Sequence, residues 1–364
     1  MGFAAKIRSF DWVLLFATVC LAVFGILELV GMAYNNPVFW TLAYKQMVAL
    51  FLALLAMSAV AFVDYRFLKN NSYAVMFMYG GALALLVLVL VVGEEVRGAR
   101  EWFQVGNFAF SPTELVKIVL VLLLAKYFSA RHIESYRFFH FFVSLCYILV
   151  PAVLILFQPD FGSVVIIGAL WLAMLFFTGI SKRNLVLLIV AALIAGTVGW
   201  TSFLKEYQKD RIVTFLNPYH DPQGAGYNVI QALTAIGDGG VSGTGLGFGS
   251  QIHLGFLPEA HTDFIFASIG EEFGLVGLMI LFTLLGVIFW RITRIALDAE
   301  NNFARLFCVG MLLLLFIQVV INAGMNLGIM PVTGITFPFV SYGGSSLIAL
   351  FVGIGMVQSM KVYR

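Results

Sequence analysis

The stretch QIHLGFLPEAHTDFIFASIGEEFG (251–274) gathers the groups best suited to chemistry: Glu259, His261, Asp263, Glu271 and Glu272, with a proline turn at Pro258. The apolar run beginning at Phe264 opens a hydrophobic span. Ionisable groups where a loop dips back toward a membrane are costly to keep, which marks them for function. Asp263 stands at that boundary. Partial desolvation would raise its pKa and make it a better proton acceptor, so it reads as a general base. The same position suits an aspartate that caps the N-terminus of the following helix, and position alone leaves the two roles evenly open. His261 and Asp263 form an H-x-D pair without a clear third ligand, a weak metal pattern. Glu271 and Glu272 are expected to pair with cations inside a helix bundle.

Other reactive groups lie elsewhere in the chain. Glu114 and Lys117 are three residues apart and share a helix face, so they pair as a structural ion pair or serve a substrate. Arg97 and Arg100, in GAREWFQVG with Trp102, could grip a pyrophosphate, for which guanidinium groups are suited. Trp102 alone would read as an interface anchor. Lys205, Lys209 and Arg211 precede a glycine-crowded stretch, Gly237 to Gly249. That stretch follows no strand and matches no phosphate-loop context. It reads as a lid or as a close backbone approach to a ligand. Gln231 is a ligand-binding amide or a plain helix-surface residue. Ser341 and Ser345 offer hydroxyls at the start of the last span, either for an anion at a helix N-terminus or for ordinary capping.

These groups are positioned by apolar helices. The 364 residues are 61% hydrophobic and 11% charged, more apolar surface than a soluble domain could hide. Long apolar runs with only 9 prolines make the spans helices rather than barrel strands. Ten spans are expected near 11–33, 41–63, 73–92, 113–129, 140–157, 163–180, 184–203, 264–290, 303–325 and 345–360. The fold class is thus an all-α polytopic membrane protein, a single domain over 1–364 with a large loop, 204–263, between the seventh and eighth spans. With the N-terminus inside, 14 of the 21 basic residues fall on the inner side and seven outside, so both termini are expected in the cytoplasm. The first apolar run is long enough to remain as an anchor. Net charge +2 gives no reason to expect nucleic acid as a partner. Cys20, Cys146 and Cys308 fall inside apolar runs and imply neither a disulfide framework nor a metal spacing. Segments 93–112, 204–263 and 326–344 elaborate the outer side while the inner loops stay short, so the work belongs at the outer leaflet. Pro331 and Pro338 make the last of these a broken, re-entrant loop.

The motifs also carry a family resemblance. LGFLPEAHTDFIF (254–266) with GEEFGLVG (270–277) resembles the signature of the SEDS proteins, named for shape, elongation, division and sporulation. SPTELVKI (111–118) is similar to the family's Q-P-S-E-x-x-K, with Ser111 and Thr113 substituted and Glu114 and Lys117 kept. GAREWF resembles its R-x-W element, with Glu101 acidic where a basic or small residue is common. QPDFG (158–162), GYNVIQALTAIGDGG (226–240) and MPVTGITFPFVSYGGSS (330–346) complete a likeness running from residue 97 to 357. LGFLPE and MPVTGI look more like the RodA-type members than the FtsW-type.

The resemblance implies a peptidoglycan glycosyltransferase that polymerises lipid II into β-1,4 glycan at the outer face of the bacterial cytoplasmic membrane, serving cell elongation. Its catalytic aspartate aligns with Asp263. Arg100, Trp102, Glu114, Lys117, Arg211, Gln231, His261, Ser341 and Ser345 are the expected substrate-binding residues. No metal-binding residue is assigned; a divalent cation, Mg or Mn, is the one open cofactor. The implied partners are lipid II, polyprenyl-pyrophosphate-linked glycan, membrane lipid and a class B penicillin-binding protein, since no outer loop is long enough to hold a transpeptidase. A lipid II flippase and a non-catalytic scaffold for a cell-wall synthase are the alternative functions. The flippase would need polar groups through the whole membrane depth, whereas Glu28 is the nearest case of a mid-span charge here.

Overall fold

The computed structural model describes residues 3–34, 36–96, 99–106, 108–130, 138–179, 183–188 and 226–364, with isolated positions between 190 and 217. Its helices are α1 (Phe3–Ser9), α2 (Trp12–Ala33), α3 (Val38–Ala61), α4 (Arg66–Asn70), α5 (Ser72–Val92), α6 (Pro112–Ala130), α7 (Phe138–Leu156), α8 (Phe161–Thr178), α9 (Tyr227–Gly239), α10 (Ser250–His253), α11 (Ile265–Leu297), α12 (Asn302–Asn326) and α13 (Gly344–Val362). Nine of the ten expected spans are helices here; the seventh, 184–203, falls mostly outside the described residues. Eight helices are long and apolar enough to cross a membrane, which makes the chain a multi-pass membrane protein. The ninth, α6, carries Glu114, Lys117 and Lys126 and survives because it is central: every residue from Val116 to Ala125 is buried.

Local signals explain where several helices start. Asp11, Asn71, Asp160 and Asn301 each accept a backbone N–H three residues on, at 2.9–3.2 Å, and so cap α2, α5, α8 and α12. In hydrocarbon such end groups must be satisfied within the protein. Peripheral helices α3 and α5 turn Phe51, Phe77 and Val91 outward, as lipid-facing surfaces require. Helix α13 runs against α3, and Gly355 lets the backbones close up: a Cβ there would sit 2.6 Å from the Met57 carbonyl oxygen.

The helices alternate in direction. Lys6 Nζ donates to Tyr363 Oη at 2.6 Å, so the two ends of the chain share one face. On that face Asp11 accepts from Arg291 and Lys361 at 2.5 and 2.8 Å. The opposite face carries the functional stretches. There residues 94–110 form three short antiparallel strands, β1 (Glu94–Val96), β2 (Ala99–Val105) and β3 (Phe108–Phe110), a small sheet that the helical patterning does not announce.

Candidate active site

Asp263 sits just ahead of α11, half-buried. The N-cap of α11 is Phe264, which makes no side-chain capping bond. The backbone around Asp263 is clamped from several sides. Glu259, at φ 53°, turns its carbonyl to accept from Thr262, Asp263 and Phe264 N–H at 3.1–3.2 Å. The Asp263 carbonyl accepts from Asn322 and Asn326 of α12, at 2.9 and 3.0 Å. Asn326 Oδ1 in turn takes the Ala267 N–H in the first turn of α11, at 3.0 Å. Asn322 also donates to the Ile335 carbonyl, tying in the 327–343 segment. That segment passes beside the carboxylate: a Cβ on Gly334 would be 3.6 Å from Asp263 Oδ2. The asparagine pair was not singled out from the sequence. Its spacing, i and i+4 at the outer end of an apolar helix, is the signal that could have found it.

Ser341 donates to the Thr262 carbonyl at 2.5 Å and accepts the Phe337 N–H at 2.8 Å. The Tyr342 N–H donates to the His261 carbonyl at 2.9 Å, and the His261 ring packs between Phe39 and Tyr342. Residues 261–263 are thus held as a fixed turn between α12 and the loop that leads into α13. Ser345 accepts the Ser111 N–H and donates to the Ala109 carbonyl, both at 3.0 Å, so it joins the hairpin and the start of α6 to α13.

Across from Asp263, Lys117 is 3% exposed and bonds Glu114 at 2.7 Å. Thr113 and Gln158 meet at 3.3 Å, which brings the start of α6 to the turn before α8. Glu101 of β2 connects these parts. Burial pushes its carboxyl up to about 8, helped by Asp160, Glu114 and Asp263 and opposed by Lys117. Glu101 is within electrostatic reach of both Lys117 and Asp263, so the hairpin, α6, the 158–162 turn and the start of α11 belong to one neighbourhood. Arg100 is exposed on the same strand and Trp102 is half-buried. Gln231 is half-buried on α9, which packs against α11. Arg97 and Arg211 lie outside the described residues.

One expectation needs correction. Glu271 and Glu272 make no ion pair among the described residues. Glu271 Oε1 accepts Gln251 N–H at 2.8 Å and Ser250 Oγ–H at 3.3 Å; Glu272 Oε1 accepts Gly247 N–H at 3.0 Å. The carboxylates serve as acceptors for backbone that the glycine-rich loop brings into the bundle. That loop makes a close backbone approach to α11. Helix α11 breaks at Gly274 (φ 63°), and the freed N–H groups of Leu275 and Val276 donate to Gly240 and Val241 carbonyls at 3.0 and 3.2 Å. Among the described residues no three His, Cys, Asp or Glu side chains come together as a metal set; His261 and Asp263 gain no third ligand.

Known proteins bear on this arrangement. Residues 8–364 match the family described as Cell cycle protein, which groups FtsW, RodA and SpoVE. The chain is 39% identical over 290 residues to the peptidoglycan glycosyltransferase MrdB of Escherichia coli K12, covering 79% of this chain and 78% of that protein. It is similar in structure to the rod shape determining protein RodA of Thermus thermophilus, with TM-score 0.70, 34% identity and coverage of 97% and 96%. It is also similar, with TM-score 0.81, 37% identity and 97% coverage of each, to a chain from a structure described as "Structural coordination of polymerization and crosslinking by a peptidoglycan synthase complex". A match across essentially the whole chain, with the sequence motifs gathered at one end of the bundle, makes this protein a member of the FtsW/RodA/SpoVE family, the SEDS proteins.

Proposed function

We infer that this chain joins lipid II units into β-1,4 glycan at the outer face of the cytoplasmic membrane, as the elongation-type polymerase. The observation that carries the reading is the half-buried Asp263, in a clamped turn, with Glu101 linking it electrostatically to the Glu114–Lys117 pair. The donor sugar is bound to its lipid pyrophosphate through an α bond, and the product bond is β. Inversion needs one in-line attack. The acceptor 4-hydroxyl oxygen bonds to the donor anomeric carbon, the bond to the pyrophosphate oxygen breaks, and Asp263 takes the hydroxyl proton. Lys117 supplies positive charge for the departing pyrophosphate, with Arg100 at the entrance. Arg211, Trp102, Gln231, His261, Ser341 and Ser345 are assigned to substrate binding. Ser341 and His261 act through the backbone of residues 261–263 that they hold. A divalent cation, Mg or Mn, would be held by the pyrophosphate oxygens, the hard ligands it favours, and would add positive charge for the leaving group beside Lys117.

We assign the face where Asp11, Arg291 and Lys361 meet, and with it both termini, to the cytoplasm, on the basic-residue asymmetry. A class B penicillin-binding protein is the partner, since a similar chain stands in a peptidoglycan synthase complex. Purified protein supplied with lipid II should form glycan chains. Absence of polymer from folded protein, with or without the transpeptidase partner and Mg or Mn, would overturn the reading.

A further inference from the structure

Gln46 lies on α3, outside every sequence motif, and is 1% exposed. A buried amide in an apolar helix is costly unless both its ends are bonded. Here both are. Gln46 Nε2 donates to the Ser341 carbonyl at 3.2 Å, and Gln46 Oε1 accepts the Gly343 N–H at 3.1 Å. The amide therefore grips the backbone on both sides of Tyr342. The other edge of the same residues holds the turn that carries Asp263. Ser341 Oγ donates to the Thr262 carbonyl at 2.5 Å, and Tyr342 N–H donates to the His261 carbonyl at 2.9 Å. Segment 341–343 is thus a splint, held by α3 on one edge and holding 261–262 on the other. Phe39 adds a second contact from the same helix. It stands seven residues, about two turns, before Gln46 and so shares that face. Its ring lies 5.5 Å from the His261 ring, between centroids. The chain entering the splint is strained: Phe339, 2% exposed, holds φ 66°, a left-handed conformation that disfavours a bulky side chain. Such backbone persists only where its surroundings fix it. Ser341 Oγ closes the turn around Phe339 by accepting the Phe337 N–H, and Gln46 fixes its exit.

We propose that Gln46 is a positioning residue for Asp263: acting through residues 341–343, it fixes where the carboxylate stands. The proposal rests on the reading of Asp263 as the base in glycosyl transfer. It gives α3, which carries none of the motifs, a part in setting the geometry of the reacting groups.

The test compares wild type with Gln46→Met, which keeps length and apolar packing but makes neither bond, in the purified full chain. Amide hydrogen exchange in peptides covering 259–264 and 337–343 should quicken by about tenfold, as two ordinary hydrogen bonds are lost, and stay unchanged in the C-terminal half of α13. With lipid II, kcat should fall by about 10²-fold, the cost of a misplacement near 1 Å. KM should stay within about twofold, because the lost interaction belongs to the transition state rather than to binding. Unchanged exchange at 259–264 would overturn the proposal, as would a raised KM with kcat kept. Gln46→Asn, whose amide is one methylene too short to reach both partners, should give the same two results if the Met variant does not fold. A wild type that forms no polymer would fault glycosyl transfer, and quickened exchange at 259–264 in the variant would still place the Asp263 turn under the hold of Gln46. Polymer formed at equal kcat by wild type and folded variant would fault the positioning role alone.

Discussion

A sugar 4-hydroxyl is a weak nucleophile, and losing its proton during attack lowers the barrier. General-base assistance is worth about 10²–10⁴-fold. Asp263→Asn keeps size and hydrogen bonding but removes basicity, so glycan formation from lipid II should fall by about that factor at matched thermal stability. Asn caps helices about as well as Asp, so a merely capping residue would leave activity near normal. Lys117 poses a second question of the same kind, because its bond to Glu114 gives it a structural reason to exist. A double-mutant cycle with Glu114→Gln and Lys117→Met separates the roles. We expect each single variant and the pair to be inactive while still folding. Polymer restored by the double change would show that Lys117 only balances Glu114.

The elements around the site are held by backbone contacts that tolerate few side chains. The glycine-rich loop and α9 lie against the first turns of α11, and a Cβ on Gly239 would fall 1.9 Å from the Gly270 carbonyl oxygen. Gly239→Ala must push α9 away from α11, which also strains the loop that completes the hydrogen bonding of the helix at Gly274. Overpacking of this kind costs about 1–3 kcal/mol, and here backbone meets backbone, so the upper end is expected as a lowered Tm in detergent. Activity should fall with it, since the displaced helix start carries Asp263. Unchanged Tm and activity would show that α9 and α11 are loosely coupled.

At the scale of the whole molecule, Asp11 staples three distant parts together. Its side chain is fully buried and accepts from Arg291 and Lys361, and its backbone exchanges two bonds with Gln358 at 2.9 Å. Burial raises the Asp11 carboxyl, but the bonds from Arg291 and Lys361 outweigh it and hold it below its ordinary value of 3.8. A carboxyl lowered in the folded state adds stability above its unfolded pKa, and that stability is lost as pH falls through the folded value. Thermal stability should therefore decline below about pH 4, and Asp11→Asn should flatten that decline. Asp11→Ala should cost about 3 kcal/mol, the low end for a broken buried pair, because both cations keep partial access to water. Orientation is tested on the same scale. In intact cells an impermeant thiol reagent should label a cysteine at Leu254, on the active-site face, and not one at Asp298. The reverse pattern would invert the assigned topology.

Hydropathy and length by themselves determined the membrane class and the positions of nine helices, because a segment in hydrocarbon must satisfy its own backbone and be apolar over about 20 residues. The capping residues Asp11, Asn71, Asp160 and Asn301 are equally local, acting within three residues of themselves. What only the tertiary structure decided is long-range. The break of α11 at Gly274 is legible only once the loop carbonyls of Gly240 and Val241 arrive to take the freed N–H groups. Glu271 and Glu272 look like partners for cations until the loop supplies N–H donors to them. Asn322 and Asn326 read as isolated polar residues in an apolar helix until folding places the Asp263 carbonyl against them. Glu101 reads as one acidic substitution in a motif; its environment comes from Asp160, Lys117, Glu114 and Asp263, which are brought to it from three other parts of the chain. Local sequence sets each group's chemistry, but the field and hydrogen bonds that tune it come from residues far along the chain, and only the packed bundle brings them together.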